Sequence, residues 1–186
     1  FCEAAEAMTI FTIGHSRRTS ERFLALLRGA GIDALVDVRA YPVSRFSPHF
    51  NKAALEASLD AAGIAYTHLA ALGGRRPPSL DPSPNGLWRE EAFRNYADYA
   101  LSERFRDGLN AVRALAATHA VAVMCAEADW RNCHRRIVAD YLLAAGDDVR
   151  HVTETGLEPA MLTPGAQPRR DGTVLYPAAE PRLRSE

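Results

Sequence analysis

Short apolar runs alternating with helically patterned segments constrain this chain more than anything else in its sequence. Thr9-Ile10-Phe11-Thr12-Ile13, Ala34-Leu35-Val36-Asp37-Val38, Ile64 to Leu69, Ala120 to Cys125 and Asp148 to Val152 have the length and β-branched content of strands. Between them apolar residues recur at helical spacing. Phe23, Leu24, Leu26 and Leu27 follow a Thr19 or Ser20 cap, and Leu55 and Leu59 follow Asn51. Phe93, Tyr96, Phe105, Leu109, Val112 and Leu115 form the stripe of two helices or one broken helix, and a last helix runs from about Cys133 to Ala145. The alternation predicts an α/β fold: a single-domain, open, mostly parallel Rossmann-like sheet of about five strands flanked by helices. The longer connection between the third and fourth strands predicts the order 3-2-1-4-5, with the fourth strand returning beside the first. The expected organisation is an N-terminal extension over 1–7, the α/β domain over 8–157 and an extended, proline-rich tail over 158–186.

In such a sheet the loops that follow strands emerge on one edge, and here that edge carries the unusual residues. They are Gly14-His15-Ser16, Asp37 and Arg39 with Ser44-Arg45, Gly73-Gly74-Arg75-Arg76, and everything from Cys125 to Arg136. The opposite loops (Gly29-Ala30-Gly31, Ala62-Gly63, Ala144 to Asp148) hold ordinary turn chemistry. One edge is therefore specialised, and ligands of open α/β sheets sit at that edge.

The stretch Val121 to Arg136, VAVMCAEADWRNCHRR, carries most of the chemistry. Cys125 has three readings: a small buried residue at a strand end, a nucleophile, or a metal ligand with Cys133 and His134 and with Glu127 or His15 as a fourth. Cys125 to Arg131 matches the C-x5-R spacing of thiol phosphatases, but Glu127 and Asp129 would repel an anion and no glycine lies between. The match is accidental on that ground. A Cys125–Cys133 redox pair is a further option, with a spacing unlike C-x-x-C. His134 and Arg135 open a helix, where the dipole favours anions. Asp37 and Arg39 are either a strand-end ion pair or part of a ligand site, and Arg39, Arg45, Arg75 and Arg135 together favour an anion. Gly73 and Gly74 mark a turn or a phosphate cradle, and His15 is a site organiser or a base.

The segments TIGHSRRTSERFLALLRGAGIDALVDVRAYPVSRFSPHFN, GIAYTHLAALGG, VAVMCAEADWRNCHRRIVADYL and VRHV resemble the bacterial and archaeal domain of unknown function 488 family over most of Met8 to Val152, plus the Leu-Tyr-Pro ending of the tail. The resemblance implies a single-domain α/β fold and no particular activity. It places signature positions at Gly14, His15, Ser16, Asp37, Arg39, Ser44, Arg45, Phe46, Leu72, Gly73, Gly74, Cys125, Glu127, Cys133, His134 and Arg135. Trp130 departs from the family's frequent proline.

Composition narrows the partners. A net charge of −1 over 186 residues gives no bulk attraction to nucleic acid or membrane. No apolar run approaches the ~20 residues of a membrane span. Three cysteines, an odd number, suit a reducing cytoplasm better than a disulfide framework. The leading expectation is an enzyme acting on a phosphate-bearing substrate, a nucleotide or nucleic-acid end. In it Arg39, Arg45 and Arg135 hold the anion, Glu127 acts as general acid/base and His15 orients or shuttles a proton, with Cys125 as an alternative catalytic group. Ser16, Asp37, Ser44, Gly73, Gly74, Arg75 and His134 complete the expected ligand-binding set. Phe46, Trp88 and Trp130 are candidates for stacking on a base. The alternatives are a non-catalytic nucleotide- or anion-sensing module and a metal- or cysteine-dependent enzyme of rhodanese or phosphatase type.

Overall fold

The computed structural model describes residues 7–179, so the expected N-terminal extension and the end of the tail lie almost wholly or partly outside the described residues. The chain folds in the order β1 (Thr9–Gly14), α1 (Ser20–Gly29), β2 (Ala34–Asp37), α2 (Lys52–Ala61), β3 (Ala65–His68), α3 (Glu91–Tyr99), α4 (Glu103–Ala116), β4 (Val121–Cys125), α5 (Arg135–Ala144) and β5 (Asp148–Thr153). Three short strands follow: β6 (Gly156–Pro159), β7 (Gln167–Pro168) and β8 (Val174–Leu175). Each predicted strand and helix of the alternating body forms within a few residues of its expected bounds. Thr19 caps α1 by accepting from the Arg22 N–H at 3.1 Å. Asn51 sits at the cap position of α2 but spends its side chain on the Ser44 N–H instead, at 2.6 Å.

The six-stranded sheet has the order β3-β2-β4-β1-β5-β6, which corrects the expected 3-2-1-4-5. β4 pairs in parallel with both β1 and β2, so it inserts between them rather than lying outside β1. The first five strands are parallel, and β6 turns back antiparallel on β5. From β1 to β3 the chain steps in one direction across the sheet, and from β3 to β5 it steps back. Crossovers of one hand then put the helices of the two halves on opposite faces. The buried residues follow that division. Phe23, Leu27, Leu55 and Leu59 of α1 and α2 pack on Ile13, Leu35, Ala122 and Met124. Tyr96, Phe105, Val112, Ile137 and Leu142 of α3, α4 and α5 pack on Ile10, Val36, Val121 and Val123. β2 and β4 are buried throughout, as central parallel strands must be.

The expected boundary between 157 and 158 falls inside β6. Beyond it the chain is tied to α5: Asp140 accepts from the Thr163 N–H at 2.8 Å and from the Tyr176 hydroxyl at 2.9 Å. Val174 and Tyr176 are fully buried, which anchors the segment they end.

The end of β1 meets the loop after β4 at the backbone. His15 N–H donates to the Cys125 carbonyl at 2.9 Å and Ser16 N–H to the Ala126 carbonyl at 2.8 Å. A Cβ on Gly14 would overlap the Glu127 carbonyl, so only glycine permits this approach. Gly14→Ala is therefore expected to lose at least ~1–3 kcal/mol of unfolding free energy in a denaturant titration. Gly29→Ala, with nothing within 4 Å of the added carbon, is expected to be neutral or slightly stabilising.

Candidate functional site

β1, β4 and β2 end side by side, and β4 sends its helix to the face opposite those that follow β1 and β2. Its carboxyl end thus lies between two switch-point crevices. A cavity of about 750 Å³ opens there. Of the predicted residues, His15, Arg39, Ser44, Arg45, Gly74, Arg75, Cys125, Glu127, Cys133 and His134 line it. Ser16, Asp37, Gly73 and Arg135 do not; Asp37, Gly73 and Arg135 are buried and Ser16 is half-buried. Tyr41, Val43 and Asn132 line the cavity without having been singled out in the sequence, and Phe93, expected only in a helix's apolar stripe, lines it too.

Arg39 is fixed from behind. Asp37, with no exposed surface, accepts from Arg39 Nε at 2.9 and 3.1 Å and from Nη2 at 2.6 Å, as well as from the Arg39 backbone N–H at 3.0 Å. Tyr66 donates its hydroxyl to the same carboxylate at 2.8 Å, and burial together with Asp37 pushes the Tyr66 pKa up, so it stays a donor. His68 Nε2 donates to the Arg39 carbonyl at 2.9 Å. Tyr66 and His68 belong to β3, where His68 is the register partner of Asp37. Their period-2 spacing in a predicted neighbouring strand was the signal that could have found them.

His15 is an organiser. Its Nδ1–H donates to the Ser16 carbonyl at 2.8 Å, which leaves Nε2 to accept from Arg39 Nη1 at 3.3 Å. Burial, with the nearby Arg39 charge against it too, lowers its pKa to about 4, so the ring is neutral. Phe50 stacks on it at 4.4 Å and pins the long β2–α2 loop. Ser16 holds the turn in the left-handed region at φ 51°. Ser44 steadies the loop by accepting from the Ser47 N–H at 3.1 Å.

Gly73 and Gly74 serve close packing. Neither has a positive φ; a Cβ on Gly73 would press on Ala40, and one on Gly74 would overlap the His134 ring.

The two sulfurs meet at the cavity floor. Cys125 Sγ and Cys133 Sγ lie 2.6 Å apart, both free and both buried. Cys133 Sγ also faces the Arg135 N–H at 3.5 Å, Arg135 Nε at 3.5 Å and His134 Nδ1 at 3.6 Å. Burial opposes a charge on Cys133, but the Cys125 thiol, His134 and Arg135 outweigh it and hold its pKa well below the ordinary range. Burial and the bond to Cys133 push Cys125 up. The groups that favour a thiolate therefore converge on Cys133, just ahead of α5, and not on the strand-end cysteine. Arg135 is placed differently from the expected anion ligand. It is fully buried and donates to the Glu127 carbonyl at 2.6 Å and to Thr12 Oγ1 at 3.3 Å, which locks the β4–α5 loop. Arg131 pairs with Asp129 and Glu158 and does not line the cavity, so no C-x5-R loop forms.

The expected metal set does not assemble. Among the described residues no group of three or more His, Cys, Asp or Glu side chains is arranged to hold a metal ion. Of the stacking candidates, Trp88 is packed on Phe93 and Trp130 lies flat on His151. Phe46, 86% exposed, lies outside the cavity lining, and Tyr41, 72% exposed, is part of it.

Two measurements follow from this geometry. Asp37→Ala leaves the Arg39 guanidinium buried without its partner and is expected to destabilise the fold by ~3–5 kcal/mol in denaturant titration. His15 and His151 are both lowered to about 4 by burial, from 6.5, so the unfolded chain binds more protons in that interval. Their contribution is complete above pH ~6.5 and is lost as pH falls towards ~4. Unfolding free energy should drop between pH 7 and pH 5, and the double variant His15→Gln/His151→Gln should flatten that slope.

No helix of the described residues is long and apolar enough to cross a membrane. No curated protein and no solved structure matches the chain. The family model for the domain of unknown function DUF488 matches residues 19–142, more than half of the chain. This chain therefore belongs to the DUF488 family.

Proposed function

We propose that this protein is an enzyme that binds a small phosphate-bearing ligand of nucleotide size in the cavity at the carboxyl edge of the sheet. The observation that carries the reading is the charge of the lining: Arg45 and Arg75, beside Arg39 with its Asp37 partner, against the single lining carboxylate of Glu127. Guanidinium forks match phosphate oxygens in geometry and charge. Arg39 is pre-oriented by Asp37, so little of its freedom remains to be lost on binding. A volume of about 750 Å³ is in the range of cofactor and nucleotide sites. Tyr41, exposed on the wall, offers a face to a base.

Glu127 is the acid/base in this reading. His15 has both nitrogens engaged and serves to hold Arg39, which leaves Glu127 as the exposed titratable carboxylate on the wall. A module that only senses the ligand would bind it identically and leave it unchanged.

Titration with inorganic phosphate, pyrophosphate and nucleoside phosphates, read by calorimetry and thermal shift, tests the site. Arg45→Gln and Arg75→Gln, at exposed positions, are each expected to weaken binding by ~5–30-fold, which corresponds to about 1–2 kcal/mol. Unchanged affinity in both would remove the arginine site. With a bound ligand in hand, product analysis after long incubation separates enzyme from sensor. Glu127→Gln is expected to abolish turnover and keep binding.

A further inference from the structure

The phosphate reading leaves the sulfur pair unused, and the surroundings of the pair are too specific for inert thiols. Arg135 is a fully buried cation, and among the described residues no carboxylate forms a salt bridge with it. A buried charge without a counter-charge is strongly unfavourable. The group placed to supply that charge is Cys133 Sγ, which receives both Arg135 N–H and Arg135 Nε. It sits where the amide dipoles of α5 favour an anion. Cys125 Sγ touches it at 2.6 Å from the end of β4, and both cysteines line the cavity. The sulfurs are thus in contact, unequal in their polar surroundings, and part of the lining of a cavity that arginines also line.

We propose that Cys125 and Cys133 form a reversible two-electron dithiol–disulfide couple, in which Cys133 attacks and Cys125 resolves, and that it exchanges with small disulfides bearing carboxylates. The preference for a carboxylate-bearing partner rests on the anion-binding reading of Arg39, Arg45 and Arg75; the couple itself does not. The Cys133 thiolate attacks one sulfur of R–S–S–R, forms a Cys133–S–S–R bond and expels RS⁻. Cys125 gives its proton to that leaving thiolate, which departs as RSH. The Cys125 sulfur then attacks Cys133 Sγ, forms the Cys125–Cys133 bond and expels the second RS⁻. The substrate gains two electrons and the pair loses two. A thiol reductant of the surroundings restores the dithiol by the reverse exchange.

The test uses the full chain in a Cys2→Ser background, so that only these two thiols remain. It is exposed to oxidised glutathione, which carries carboxylates, or to neutral hydroxyethyl disulfide, then quenched and analysed by intact and peptide mass. The expected result is an internal disulfide with no retained adduct, reversed by dithiothreitol. Cys125→Ser should instead accumulate a mixed disulfide at Cys133, and Cys133→Ser should react on the order of 100-fold more slowly. Because Cys133→Ser also removes the counter-charge of Arg135, unsubstituted Cys133 is tested too: with limiting iodoacetamide, the first alkylation should fall on Cys133. First alkylation on Cys125, stable adducts in the parent chain, or no oxidation would each overturn the couple. Oxidised glutathione should react about tenfold or more faster than the neutral probe, an advantage lost in Arg45→Gln/Arg75→Gln. Equal rates with the two probes would overturn the carboxylate preference. Phosphate titration of the same protein then decides separately whether the anion reading fails with it.

Discussion

The close passage of the β4–α5 loop over Gly14 is the constraint on which the rest of the site depends. Two backbone hydrogen bonds join His15 and Ser16 to Cys125 and Ala126, and the Glu127 carbonyl occupies the space a side chain at Gly14 would need. That carbonyl, in turn, receives Arg135. The loop is therefore clamped between a strand end and a buried guanidinium. With the loop held, Cys125 at the end of β4 and Cys133 at the start of α5 have no choice but to meet. Eight residues apart in sequence, they touch because strand, loop and helix form one tight reversal.

A second arrangement of buried charge sits on the other side of the cavity. Asp37 and Arg39 are both buried and joined by a multiply bonded pair, with Tyr66 and His68 of the edge strand closing the shell around them. An ion pair of this kind contributes little net stability, because desolvation offsets attraction. What it supplies is direction: Arg39 is held at the cavity wall with Nη1 towards a histidine that burial keeps neutral. The two cations nearest the floor thus have different partners, a carboxylate for Arg39 and a sulfur for Arg135. One faces the cavity and the other braces its floor.

The exposed β2–α2 loop completes the picture. It is pinned at Phe50 beneath His15 and steadied by Ser44 and Asn51, and it presents Tyr41, Val43 and Phe46 to solvent. The loop after β3 approaches from the other side, where Gly73 and Gly74 let it close on Ala40 and His134.

The sequence by itself determined the secondary structure of the alternating body, the fold class and the edge on which the unusual residues gather. Those follow from local periodicity, which needs no partner to be read: Leu55 and Leu59 define a helix face, and an unbroken Val-Ala-Val-Met defines a strand buried on both sides. Only the tertiary structure decided the strand order. β1 and β2 are equally able to pair with β4, and the long crossover through α3 and α4 reaches either site, so nothing local favours insertion between them over addition outside β1. That insertion changes which residues meet, because it sets Arg39, His15 and Cys125 around one strand end. The direction of each side chain was likewise undecided by spacing. Arg135 looked like one more arginine for an anion, yet a helix start places it facing inward, where the loop carbonyls and a sulfur satisfy it. Cys125 is the strand-end thiol that the sequence brings forward, whereas the donors gather on Cys133, which they reach only when the loop is folded back.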